Sequence, residues 1–206
     1  MGFFQQITEK PWVAGHHRLV DLHDRRAFFL PSATLGLRML LAAMTVLFSL
    51  LVVAYADRMV LEDWRALPEP WLLWPNTAVL IVSSVSLQWA SISARRREIG
   101  GIRRGLLVGG ACAFFFLVGQ LLAWQQLVEL GYFVAANPAN AFFYLLTALH
   151  GLHLLGGLVA WSWTSDKAWR RDAEVDRLRL SVELCTVYWH FLLVVWLALF
   201  CLMLFT

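Results

Sequence analysis

Three histidines and one carboxylate, His150, His153, Glu183 and His190, stand inside long apolar stretches of this 206-residue chain. Neutral imidazole is the commonest metal ligand. An ionisable group at bilayer depth costs a few kcal/mol, so it faces a bundle interior or a partner and marks a functional site by default. His150 and His153, three residues apart, share a helix face with Leu146 and Gly157, and Glu183 and His190, seven apart, share another with Val187 between them. Two kinds of chemistry fit. One is a haem or metal site between the two segments. The other is histidines hydrogen-bonded to neighbouring helices or lipid headgroups. His150 and His153 lie on one side of one helix and cannot sandwich a haem together, and no cysteine or carboxylate stands near them in sequence. The hydrogen-bonding reading is therefore preferred. The same holds for Asn76, Thr77, Ser83, Ser84, Ser86, Gln88 and Ser91, and for Gln120 with Trp124 one turn on: such groups make interhelical bonds worth about 1 kcal/mol each.

The elements that carry these residues are membrane helices. At 60% hydrophobic and 15% charged, the chain departs from a soluble domain, in which about half the residues are apolar and about a quarter charged. A hydrocarbon core about 30 Å thick takes roughly 20 apolar residues of helix, and five stretches qualify: 33–56, 71–92, 104–128, 139–163 and 181–204. The apolar runs are continuous, whereas a barrel strand alternates. The expected fold is thus an all-α bundle of five transmembrane helices over residues 33–206, preceded by a cytoplasmic arm, 1–32. Cys112, Cys185 and Cys201 are an odd number in apolar surroundings, without zinc or CxxC spacing. A net charge of +3 is too small to imply nucleic acid.

Close packing is expected at Gly101, Gly105 and Gly109, a four-residue repeat, and at Gly156 and Ala160. Trp71 and Trp74 at one end, and Trp161 and Trp163 at the other, suit an interfacial aromatic belt. Orientation follows from the loops. Fifteen of the seventeen Lys and Arg residues lie in the arm, in Arg38, in the loop from Arg95 to Arg104 and in the loop from Lys167 to Arg179; only Arg58 and Arg65 lie opposite. Cytoplasmic loops collect these residues, so the amino terminus is expected inside and the carboxyl terminus outside. Ala54-Tyr55-Ala56 resembles a cleavage site, but the preceding arm, with Glu9, Asp21 and Asp24, is wrong for a signal peptide.

The run from Phe142 to His153, with Thr147, His150, Gly151 and His153, resembles the Thr-Gly-x-His-Gly-x-His helix of subunit III of the haem-copper oxidases. Glu183 followed by Tyr188-Trp189-His190-Phe191 and Val195-Trp196 resembles that family's last helix. Asn76-Thr77 with Ser83, Ser84 and Ser86, and Gly119-Gln120 with Trp124, are weaker matches. The resemblance covers about residues 33 to 204 and is to the short bacterial form that lacks the first two of seven helices. The sequence departs from the pattern where the family places carboxylates: Met44, Ala123 and Leu193 stand there.

The resemblance implies an accessory subunit without catalytic, metal or cofactor-binding residues of its own. It implies a catalytic partner that holds haem and copper, and bound phospholipid, with headgroups near positions matching His153 and Lys167. The alternatives are an accessory subunit of a nitric oxide reductase and a free-standing b-type cytochrome using His150, His153 or His190. The charge split makes a direct prediction. In intact cells, with Cys112, Cys185 and Cys201 replaced, an impermeant thiol reagent labels a cysteine placed at Asn137 and leaves one placed at Arg96 unlabelled; the opposite pattern inverts the topology.

Overall fold

The computed structural model describes residues 32–61, 64, 71–170 and 175–205. The expected arm, 1–32, lies outside the described residues apart from Ser32. The chain divides into two units, Met1–Arg38 and Met39–Thr206, and every contact reported below belongs to the second.

Among the described residues there are five α-helices and no strand: α1 (Ser32–Met59), α2 (Leu73–Arg95), α3 (Ile99–Glu129), α4 (Pro138–Trp169) and α5 (Val175–Leu204). Each is long and apolar enough to cross a membrane. The all-α, five-span expectation holds, but the helices overrun the expected ends. α3 starts at Ile99 rather than 104, α4 continues to Trp169 rather than 163, and α5 begins at Val175 rather than 181. The reason is physical. Apolar length measures the hydrocarbon, about 30 Å, whereas backbone hydrogen bonding has no cause to stop at its edge. The 32 residues of α4 extend about 48 Å at helical rise, and the excess carries Lys167 into the basic end.

Local signals set the turns. Pro138 opens α4 where its missing N–H costs nothing, and the Asn137 side chain accepts a hydrogen bond from the Ala139 N–H at 3.2 Å. At the other end of the bundle, α2 closes on Arg96 and Arg97. Arg97 adopts a left-handed φ of 59°, and the Glu98 N–H returns to the Ser93 carbonyl at 2.9 Å. Three residues thus reverse the chain into α3.

α2, α3, α4 and α5 pack in a closed ring, α2 against α3 and α5, and α4 against α3 and α5; α1 approaches no helix as closely. The α2–α3 contact is the tightest, and the glycine repeat accounts for it. A Cβ on Gly105 would stand 2.7 Å from the Ser86 carbonyl oxygen and from the Ala90 Cβ, and one on Gly109 would meet Leu87 at 2.7 Å. In lipid no hydrophobic force pulls helices together, so close approach depends on such small residues. Gly156 does not behave as expected: it faces open space, and its neighbour Gly157 makes the close approach instead. Trp161 also departs from the aromatic belt. It is half-buried on α3, its indole N–H donating to the Leu106 carbonyl at 2.9 Å, whereas Trp71, Trp74 and Trp163 are exposed at the ends.

α1 is attached by rings. Phe48 lies on His153, with centroids 5.5 Å apart, and Tyr55 meets Phe142 edge-on at 5.6 Å. Beside these contacts an apolar groove of about 400 Å³ runs between α1 and α5, lined by Phe48, Val52, Val194 and Leu199 among others. The geometry at Gly105 yields a test. Gly105→Ala forces α2 from α3 and costs about 1–3 kcal/mol, the usual penalty of overpacking, while Gly156→Ala is neutral. Unfolding of both variants by sodium dodecyl sulfate in mixed micelles measures the difference.

Candidate functional site

The polar side chains of the spans gather mainly on one line, the seam between α2 and α5. These helices are antiparallel, so rising numbers on α5 meet falling numbers on α2. At the basic end, Glu183 accepts hydrogen bonds from Arg95 Nε at 3.0 Å and from Arg179 Nε at 3.1 Å. One turn in, the Thr186 hydroxyl reaches the Leu87 carbonyl of α2 at 3.1 Å as well as Val182 of its own helix. His190 is held at both ring nitrogens, by the Ser84 hydroxyl at Nδ1 and by Gln88 Oε1, 3.0 Å from Nε2. Gln88 Oε1 can only accept, so Nε2 carries the proton and Nδ1 accepts from Ser84.

Next to it, the fully buried Trp189 donates to Ser83 Oγ at 3.0 Å, and Ser83 in turn donates to the Gly109 carbonyl of α3 at 2.7 Å. One side chain thus ties three helices. Farther along, Trp196 Nε1 donates to Thr77 Oγ1 at 2.9 Å. Asn76 Nδ2 donates to Gln120 Oε1 across the α2–α3 contact at a long 3.4 Å.

The α4 residues play other parts. Trp124 on α3 donates to Thr147 at 3.0 Å. Tyr188 donates to the backbone carbonyl of His153 at 2.9 Å, and Gly157 makes room for this, because a Cβ there would stand 2.8 Å from both the Tyr188 and Trp189 rings. Gly151 is less constrained: a Cβ would have only ordinary contact with Leu117.

The histidines expected to share a face diverge. His150 is fully buried, its ring against Trp196 at 5.1 Å and Phe116 at 5.8 Å, and neither ring nitrogen has a protein partner. His153 is half-exposed toward α1, with Nδ1 2.8 Å from the Leu149 carbonyl. His190 lies on the far side, against α2. Among the described residues no three of His, Cys, Asp and Glu gather around a point.

His153 and Lys167, paired above as lipid contacts, lie fourteen residues apart on α4, about 21 Å by helical rise. A single headgroup therefore cannot touch both. Lys167 Nζ donates to Ser181 at 3.2 Å at the basic end. Nearby, Arg103 donates to the Ala168 carbonyl at 2.9 Å and lies over the Trp169 ring.

Residues 66–206 match the model of the family described as cytochrome c oxidase subunit III. This chain belongs to that family. Among its relatives, the probable cytochrome c oxidase subunit 3 of Mycobacterium tuberculosis is 33% identical over 126 residues, 61% of this chain and 62% of the relative. The cytochrome c oxidase subunit 3 of Synechocystis is 32% identical over 195 residues, 90% of this chain and 76% of the relative. That of Thermostichus vulcanus is 29% identical over 131 residues, 62% of each. The chain spans about 62% of the length of the mycobacterial relatives it matches.

Within this subunit III chain, the motif residues prove to be bonding residues: Glu183, Trp189 and His190 hold α5 to α2, and Tyr188 holds it to α4. Sequence reasoning named Ser83, Ser84 and Gln88 as interhelical bonders without their partners, and it missed Thr186. The signal was present, since Glu183, Thr186, Trp189 and His190 recur every three or four residues facing Ser84, Gln88 and Arg95 at the same spacing. The two indole and imidazole sites behave differently on substitution. Trp189→Phe loses the bond to Ser83 and costs about 1 kcal/mol, whereas His150→Phe removes an imidazole with no protein partner and is neutral or stabilising. Equilibrium unfolding in mixed micelles compares them; a larger loss from His150→Phe would mean that its ring nitrogens are engaged.

Proposed function

We propose that this chain is the accessory, non-redox subunit III of a respiratory terminal oxidase in the bacterial cytoplasmic membrane. Its catalytic partner holds haem and copper and couples oxidation of cytochrome c or quinol to oxygen reduction. The observation that carries this reading is the use to which the family motif is put. Among the described residues Glu183 and His190 bond α5 to α2, and Tyr188 bonds it to α4. Bonds of this kind suit a chain that supports the catalyst.

The charge split supports an amino terminus in the cytoplasm and a carboxyl terminus outside. The basic end of the bundle, with Lys167, Arg103 and Arg179, then lies against the cytoplasmic leaflet, whose anionic lipids attract such groups. We assign Lys167 to a phospholipid phosphate, as a point charge rather than a bidentate fork. The acyl chains of that lipid run along α4 toward the level of His153.

A support subunit changes how long the catalyst survives, not the rate of each cycle. Removing the whole chain therefore leaves the haem spectrum and the initial turnover of the complex close to those of the intact one and lowers the number of turnovers before inactivation severalfold. Both are measured on the same membranes by oxygen consumption. An immediate tenfold fall in rate with the haem spectrum intact would place the chain in the reaction itself. Haem bound stoichiometrically by the isolated chain would overturn the reading in favour of a b-type cytochrome.

A further inference from the structure

Each helix of the ring sends a polar side chain toward the same part of the core. Asn76 Nδ2 of α2 donates to Gln120 Oε1 of α3 at 3.4 Å, and Trp196 Nε1 of α5 donates to Thr77 of α2 at 2.9 Å. The Trp196 ring lies against His150 of α4, with centroids 5.1 Å apart. Two of these side chains keep atoms without a protein partner: both ring nitrogens of His150, and Nε2 of Gln120. His150 is fully buried and Gln120 is 4% exposed.

The packing of α3 on α4 sets these two residues at one level. Phe116, one turn before Gln120, meets the His150 ring edge-on at 5.8 Å. Trp124, one turn after Gln120, donates to Thr147, one turn before His150, at 3.0 Å. Phe116, Gln120 and Trp124 recur every four residues and share one side of α3. Gln120 therefore enters the α3–α4 contact between two fixed points, and His150 belongs to one of them.

No lipid headgroup reaches this place. Both residues are closed off by protein, and His150 lies twelve residues into α4, about 18 Å by helical rise. A polar group left dry there is costly.

Donor and acceptor rules select the ligand. A neutral imidazole offers one N–H and one bare nitrogen, and the Gln120 amide nitrogen offers N–H groups. If the Gln120 amide is turned over, its unpartnered end becomes an acceptor. Only a ligand that both donates and accepts suits either arrangement. It is also small, because Leu146 and Leu154, one turn to either side of His150, and Phe116 and Trp196 against its ring are all fully buried. Water meets both conditions, and a buried water takes two to four polar partners.

We propose that the core of the helix ring binds internal water between Gln120 and His150. The water accepts a hydrogen bond from Gln120 Nε2 and donates one to the unprotonated ring nitrogen of His150. The bridge joins α3 to α4 one turn beyond the Trp124–Thr147 bond, and through Asn76 it extends to α2. The waters number one or two, since the two ring nitrogens point apart. Stability is a poor reporter of this site: phenylalanine at position 150 releases the water, and that release offsets the bonds lost, in keeping with a near-neutral His150→Phe.

The test uses the full chain in phospholipid bilayers, with heavy nitrogen in its histidine rings and glutamine amides, read by solid-state nuclear magnetic resonance. His16→Asn, His17→Asn and His23→Asn are made in every sample, which leaves His150, His153 and His190 to report. Magnetisation passes from water protons to a His150 ring nitrogen and to the Gln120 amide, and the His150 signal disappears in His150→Phe. In Gln120→Leu the transfer to His150 falls at least about threefold, because the water has lost an anchor. His153→Asn and His190→Asn leave the transfer in place, so the assignment stands even if a core variant fails to fold, which circular dichroism reports.

Absence of transfer from water to His150 in the chain with both core residues intact overturns the proposal. So does a direct path between the Gln120 amide and the His150 ring at hydrogen-bond distance, which would mean that the two side chains bond without water. Undiminished transfer in a folded Gln120→Leu chain removes Gln120 from the site and overturns the bridge.

Discussion

Hydrocarbon supplies no water, so a polar group placed in a membrane helix is costly unless it finds a partner within protein. In this chain that constraint is concentrated in Trp189. Its indole N–H needs an acceptor, and Ser83 supplies one while passing its own proton to the Gly109 carbonyl. The relay works only if α3 lies close enough to α2 for a side chain as short as serine to bridge them, and that closeness comes from Gly105 and Gly109. The ring of Trp189 in turn fits only because Gly157 leaves a hollow on α4. Remove any one of these and the others lose their reason. The tryptophan is therefore the point at which all four helices of the ring are matched.

The same constraint explains why so much of the fold was legible in the sequence and why particular parts were not. Span number follows from apolar length, which the bilayer imposes on each segment separately. The glycine repeat was legible because its spacing is a property of one helix. Gly156 and Trp161 were misjudged for the converse reason: whether a small residue meets a neighbour, or an indole faces headgroups, depends on which side of the helix another helix happens to occupy. Gly157 differs from Gly156 by one position and about 100° of helix rotation, and only the placement of α5 tells them apart.

Pairing of histidines by sequence face failed on the same point. His150 and His153 are three residues apart, yet the residue 300° around a helix sits 60° to one side, which here is enough to turn one ring into the core and the other toward α1. Conversely, the face shared by Glu183 and His190 held, because seven residues return a helix nearly to its starting direction. Their partners on α2 could have been found from spacing, since Ser84, Gln88 and Arg95 form a polar row of the same period.

α1 packs less closely against its neighbours than the other four helices do. Its exposed positions include Met39, Leu40, Val46, Leu50 and Val53, and the residue at the family's carboxylate position, Met44, is buried and apolar. A methionine offers no strong hydrogen bond to draw the helix in. Ring contacts join it to α4, Phe48 with His153 and Tyr55 with Phe142, and each aromatic pair of this kind is worth only about 0.5–1.5 kcal/mol beyond its buried area. Ala123 makes the opposite exchange on α3, where the loss of a carboxylate leaves a small, fully buried residue inside the tight ring. Two departures from the family pattern thus act in contrary directions. One removes a buried charge without loosening the ring, and the other leaves the first helix resting on aromatic contacts beside an open apolar groove.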